Sequence, residues 1–147
     1  MKKRKIILGI LIVLWLCLIW GHSMQPAVVS ANESGRLLTF LRKIFPTLLA
    51  GENGEFIVRK AAHFSEFFIL GILLCMEFCT EVYGALRRFA VPSLVGLLVA
   101  FIDETIQLFV VGRSGEVRDM WIDFAGVMFG TLIVLAIVNN KRGRKRY

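Results

Sequence analysis

Apolar residues fall into four long runs separated by short polar stretches. Residues 6–20, IILGILIVLWLCLIW, follow four cationic residues; further runs begin after Arg59-Lys60, near Phe89 and near Asp119. A membrane span needs about 20 mostly apolar residues. The pattern therefore predicts spans over about 6–21, 61–80, 89–111 and 119–138. Between the first two, residues 22–36 read as a polar external loop. Residues 36–50 then place Leu37, Leu38, Leu41, Ile44, Phe45 and Leu48 at helical spacing, with Arg36, Arg42 and Lys43 off that stripe. This is an amphipathic helix, too short to span, ended or bent near Pro46 and lying in the external interface. Residues 51–54, GENG, read as a turn, as do residues 112–118. The expected fold is all-α, a polytopic bundle of four transmembrane helices plus one interfacial helix, in one domain over 1–147.

Composition agrees with that class. Hydrophobic residues make up 56% of the chain and the mean hydropathy is +0.68, more apolar surface than a soluble domain of this size can bury. The formal net charge of +7 does not point to nucleic acid, because the excess sits in MKKRK and KRGRKR, which flank hydrophobic runs as membrane anchors do. With four spans both termini share one side. That side then carries eleven of the eighteen Lys and Arg residues, so the positive-inside rule puts both termini in the cytoplasm. The first run could also be a signal peptide, with Val29-Ser30-Ala31 as its small-residue site. That site lies eleven residues past Trp20, far for cleavage, and a retained span is the reading adopted. Cys17, Cys75 and Cys79 lie within apolar runs and read as small hydrophobes. There is no zinc signature and no cofactor is expected.

The polar residues inside the spans carry the functional information. A charge at the bilayer centre costs roughly 2.5–3.5 kcal/mol on insertion scales. Helical spacing puts Arg59, His63 and Glu66 on one face of span two, with Lys60 at its border. Asp103 and Glu104 flank a stripe of span three that Gln107 continues. Asp119, Asp123, Gly126 and Gly130 form one stripe of span four, and the GxxxG of Gly126 and Gly130 suits close helix packing. The topology brings the start of span two, the end of span three and the start of span four to one side. At about 1.5 Å per residue all these groups lie in the outer half of the bilayer. A shared polar pocket capped by Gly112-Arg113 follows, with Arg113 expected to fold back onto Asp103 or Glu104. Asp119 reads equally as a helix N-cap, and Arg59 reads more readily as an interface anchor than as a site residue.

The ordered motif Arg59-Lys60-x-x-His63-Phe64-x-Glu66-Phe67, with Leu70-Gly71, resembles the first motif of VanZ-like membrane proteins. Asp103-Glu104-x-x-Gln107-x-Phe109-x-x-Gly112-Arg113, followed by Asp119-x-x-x-Asp123-x-x-Gly126-x-x-x-Gly130, resembles the second. Ser23-x-Gln25-Pro26, then Ser30 and Ser34, is similar to the family's segment after the first helix. Val110-Val111 stand where the family more usually has a proline-containing approach. The resemblance implies a small multi-span protein of the bacterial cytoplasmic membrane, with a role in resistance to the glycopeptide teicoplanin.

Three classes of function stay open. In a binding module, Lys60, His63, Glu66, Asp103, Glu104, Gln107, Arg113, Asp119 and Asp123 would line a pocket for a membrane lipid headgroup, a cell-wall lipid precursor or an acylated lipoglycopeptide. In an intramembrane hydrolase or transferase, His63, Glu66, Asp103 and Glu104 would be the candidate catalytic residues, as acid and base or as ligands for a hard cation. Ser65 and Thr105 are weak candidate nucleophiles. In an ion- or proton-coupled transporter the acids would form a relay. That reading suffers because the polar groups gather on one side only.

Overall fold

A computed structural model describes residues 2–47, 49, 51, 53–79 and 84–143. Leu48, Glu52 and the end of the basic tail, on which parts of the sequence reading fall, lie outside the described residues. Five helices follow one another: α1 (Lys2–Ser23), α2 (Ala27–Ile44), α3 (Gly54–Phe78), α4 (Ala85–Gln107) and α5 (Val117–Gly143). Among the described residues there is no strand. All but α2 are long and apolar enough to cross a membrane. The chain is an all-helical membrane bundle.

The element bounds differ from the sequence reading in instructive places. The amphipathic helix runs over Ala27–Ile44, not 36–50. Pro26, with φ −54° and ψ 149°, stands just before its first residue, a position where a missing N–H costs nothing. The polar run Ser30, Asn32, Glu33 and Ser34, read as a loop, belongs to that helix, and Ser30, Glu33 and Ser34 share one of its faces. The C-terminal end does fall just before Pro46. There Arg42 reaches beyond the helix, donating from Nε to the Leu49 carbonyl at 2.9 Å and from Nη2 to that of Gly51 at 3.3 Å. The fourth helix in chain order ends at Gln107, four residues before the expected Val111, and residues 108–116 form a longer connection.

Helix α3 is the centre of the bundle and touches all four other helices. Its partnership with α5 is the closest, and small residues make it so. A Cβ on Gly126 would stand 2.5 Å from the Phe64 carbonyl oxygen, and one on Gly130 would collide with that of Phe68. From the other side, a Cβ on Gly71 would strike the Val127 backbone. The backbones therefore meet directly, as membrane helices do when small residues line their seam. Around this seam Ile19, Phe67, Leu70, Leu74, Val99, Ala100 and Val127 form one buried apolar cluster. Large apolar side chains such as Ile7, Ile10, Leu94, Leu98 and Phe129 point outward, toward lipid rather than a core. A smaller cluster of Leu38, Leu49 and Val58 fastens α2 and its connection onto α3.

Candidate functional site

The C-terminal ends of α1 and α4 and the N-terminal ends of α3 and α5 meet at one end of the bundle, under α2. Buried polar residues collect there: Ser23, Asp103, Glu104, Gln107, Asp119 and Asp123. In hydrocarbon each must find its partners within the protein, and most do. The Ser23 hydroxyl donates to Asp103 Oδ1 at 2.6 Å. Gln107 Nε2 donates to Asp103 Oδ2 at 3.0 Å and to Glu104 Oε1 at 3.2 Å. The backbone N–H of Glu116 donates to Glu104 Oε2 at 2.8 Å. Gly115 makes that approach possible, since a Cβ there would lie 2.6 Å from the Glu104 carbonyl oxygen.

Charges pair across helices. The Lys60 ammonium meets both carboxylate oxygens of Asp119, linking α3 to α5, and lies 5.0 Å over the Phe56 ring. One turn further in, His63 Nδ1 stands 3.4 Å from Asp123 Oδ1. Glu66 turns toward α1, its Oε1 2.7 Å from His22 Nδ1, while Trp15 Nε1 donates to the Glu66 carbonyl at 2.9 Å. Arg59 pairs with Glu55 at 2.9 Å.

Arg113 is not where the charge balance put it. It bonds neither Asp103 nor Glu104; its Nη1 donates to the carbonyls of His22 at 2.9 Å and Ser23 at 3.3 Å. These are among the carbonyls that the end of α1 leaves without helical partners, at the negative end of its dipole. Burial lowers the pKa of Arg113 below the usual arginine value, and the nearby Asp103 carboxylate opposes that shift. Gly112 turns the chain toward this contact with φ +76°, a conformation that favours glycine. The Ala27 N–H donates to the Val111 carbonyl at 3.2 Å, so the Gly112-Arg113 turn is fastened to both α1 and the start of α2.

Two cavities flank His63 and Arg113. The larger, about 190 Å³, is bounded by α1, α2 and α3 and lined by His22, Arg59, His63, Glu66, Arg113 and residues of α2. The smaller, about 90 Å³, lies toward α5 and is lined among others by Lys60, Gln107, Glu116 and Asp119. Ser30, Arg59, His63 and Arg113 border both.

A family described as VanZ/LLP1 matches residues 8–138. The chain belongs to the VanZ/LLP1 family. Neither a curated protein nor a solved structure matches it. The VanZ/LLP1 match includes most of each of the four membrane-spanning helices and every polar residue of this end of the bundle.

Within the VanZ/LLP1 chain, the expected residues come together unequally. His63, Asp103, Glu104 and Asp123 form one compact group, with Gln107 bonded to two of them. Lys60 and Asp119 sit beside it as a pair. Asp119 is the third residue of α5 and takes an ammonium, so it is not the N-cap. Glu66 faces the larger cavity and α1, apart from the carboxylate group. Gly126 and Gly130 lie on the α3–α5 seam. Ser65 and Thr105, considered as nucleophiles, donate to their own helices at the carbonyls of Ala61 and Phe101, both at 2.7 Å.

The contribution of α1 and α2 is what the sequence reading missed. His22 and Ser23 were assigned to a loop, yet they are the last residues of α1. Ser23 lies four residues after the buried Ile19, on the same face, which is the signal that places it inward. Ser30, Glu33, Ser34 and Leu37 follow the i, i+3, i+4, i+7 spacing of one helix face and border the larger cavity.

Proposed function

We propose that this membrane protein binds the anionic headgroup of a lipid at the polar end of its bundle, and that this end faces the outside of the cytoplasmic membrane. The observation that carries the reading is the cavity of about 190 Å³ with Arg59, His63 and Arg113 on its wall and hydroxyls of Ser30 and Ser34 beside them. Guanidinium groups with nearby hydroxyls suit phosphate or carboxylate. Pockets for drug-sized ligands run to about 300–1,000 Å³. This one is smaller and suits a headgroup, not a whole lipoglycopeptide. The rest of the lipid would stay in the bilayer, along the apolar surface that the exposed Leu37 begins beside the cavity.

The orientation is supported by the clustering of eleven of eighteen Lys and Arg residues on the opposite side. In this reading the protein occupies phospholipid or cell-wall lipid precursor at the outer leaflet. It thereby lowers the access of acylated glycopeptides such as teicoplanin. The phosphate chemistry is common to both lipid sources. Native mass spectrometry of the full chain in detergent, titrated with phosphatidylglycerol and with a polyprenyl phosphate, separates them. Saturable binding that falls at least tenfold in Arg113→Ala is expected, together with loss of protection from teicoplanin in cells where the variant still accumulates. Equal lipid binding by wild type and Arg113→Ala would remove this reading.

A further inference from the structure

The group His63, Asp103, Glu104 and Asp123 has a geometry that headgroup binding does not use. Each residue offers one donor atom, and these atoms lie within 4.8 Å of one another. Two donors about 2.0–2.2 Å from one Zn²⁺ ion are at most about 4.0–4.4 Å apart, so a pair near the 4.8 Å limit draws in by about 0.4–0.8 Å on binding. The set is therefore compact enough for one cation. Proximity of acids alone would prove little, but the state of Asp123 adds an independent observation. It is 0% exposed, and neither of its carboxylate oxygens accepts a hydrogen bond. Its nearest charged neighbour is His63 Nδ1 at 3.4 Å, and that nitrogen also lacks a hydrogen-bond partner. Two donors about 2.1 Å from a shared ion, at a tetrahedral angle, are about 3.4 Å apart. An unpartnered carboxylate in this setting carries an uncompensated desolvation cost.

The other two acids are oriented as metal-ligating carboxylates usually are. Ser23 and Gln107 fix Asp103, and Gln107 and the Glu116 N–H fix Glu104. Each carboxylate has about four lone-pair sites, so two remain on each after these bonds. Such outer-shell partners hold ligands in position in known metal sites. The nearby cations are committed elsewhere: Lys60 to Asp119 and Arg113 to the end of α1. With His63 as the neutral imidazole that a metal ligand must be, three buried carboxylates thus lie without a matching cation among the described residues that face them.

We propose that His63, Asp103, Glu104 and Asp123 bind one divalent first-row transition ion, of the Zn²⁺ or Mn²⁺ type. The imidazole among the carboxylates favours these over Mg²⁺ and Ca²⁺, which take oxygen donors. His63 also borders both cavities, which provides a way in for the ion. This goes beyond headgroup binding and does not depend on it.

The test uses the full chain, purified in detergent through a tag without histidines and freed of metal with EDTA. Titration with Zn²⁺ and with Mn²⁺ is followed by calorimetry and by metal content after desalting. About one ion per chain is expected, with a rise in the thermal midpoint, because an ion that binds only the folded state stabilises it. Asp123→Asn should weaken binding on the order of a thousandfold, beyond the roughly 10–100-fold of losing an outer-shell partner. Glu104→Gln supplies the same reading should Asp123→Asn not accumulate. Arg113→Ala should keep the ion even where it loses the lipid, so the two proposals can fail separately. Wild-type protein that takes up less than about a tenth of an equivalent and shows no thermal shift would overturn the site. Unchanged affinity in Asp123→Asn or Glu104→Gln would overturn it equally.

Discussion

The α3–α5 seam is two different interfaces end to end. Toward the polar end it is made by Lys60 with Asp119 and His63 with Asp123. Further along it is made by Gly71, Gly126 and Gly130 against facing backbone, with Phe64, Phe68 and Phe129 grouped beside them. The glycine part accounts for the fold without help. It satisfies the need for close packing in a solvent that offers helices no hydrophobic drive to associate. The charged part is a poor way to hold helices together, because the desolvation of buried ion pairs roughly cancels their attraction. A seam that is already sound at one end has no structural need for acids at the other, so those acids point to a task.

The largest effect should come from breaking the glycine part. In Gly130→Leu the new side chain meets the Phe68 carbonyl and the Ile72 nitrogen, both backbone, so neither can swing aside. The loss should exceed the roughly 1–3 kcal/mol of ordinary overpacking. No folded protein should accumulate in the membrane fraction, as read by immunoblot and size-exclusion chromatography. Next comes Lys60→Met, which leaves the buried Asp119 carboxylate alone. About 3–5 kcal/mol of destabilisation is expected in denaturant titrations of the detergent-solubilised protein. Adding Asp119→Asn should recover most of it, because the neutral pair has no charge left to bury. A double variant as unstable as the single one would mean that Lys60 acts through something other than this pair.

These two parts of the seam were not equally legible in the sequence. The glycines and the polar stripes of α3 and α5 were readable because a single helical period fixes which residues share a face. The fold class followed from four apolar runs. The α4 terminus was not readable, because Leu108, Phe109, Val110 and Val111 continue an apolar run although the helix stops at Gln107. Hydropathy reports what lipid tolerates, not where hydrogen bonds end. The loop assignment of 22–36 failed for the opposite reason. Its polar residues belong to the cavity-facing side of α2, and polarity alone does not distinguish a loop from a helix that lines a pocket. Arg113 was assigned to a carboxylate because charge counting ignores helix ends. Its actual partners, the carbonyls of His22 and Ser23, are invisible until α1 is known to stop there.

Arg113 offers a gentler way to separate the two regions. Its side chain joins the 108–116 connection to α1 through two hydrogen bonds, and its partners lie outside the α3–α5 seam. Arg113→Ala should therefore cost only about 1–3 kcal/mol, the range for hydrogen bonds to charged groups, while removing one of the two arginines from the cavity wall. Arg113→Lys keeps the charge but loses the planar fork. It should recover lipid binding only in part, and native mass spectrometry should rank wild type above Arg113→Lys above Arg113→Ala. Equal binding by the lysine and arginine forms would reduce the contribution of Arg113 to its charge alone.

The smallest effect should come from the outward face at comparable depth. Leu98 lies on α4 close to the buried Val99 and Ala100, yet it is itself 59% exposed. In water, truncating a large apolar residue from a core costs several kcal/mol. Here the environment beyond Leu98 is acyl chain, which solvates leucine and alanine almost alike, and no cavity is left because lipid fills the space. Leu98→Ala should shift stability by no more than about 0.5 kcal/mol and leave lipid and metal binding unchanged. A loss of several kcal/mol in the same denaturant titration would mean that another protein surface, such as a second copy of the chain, covers this face of α4.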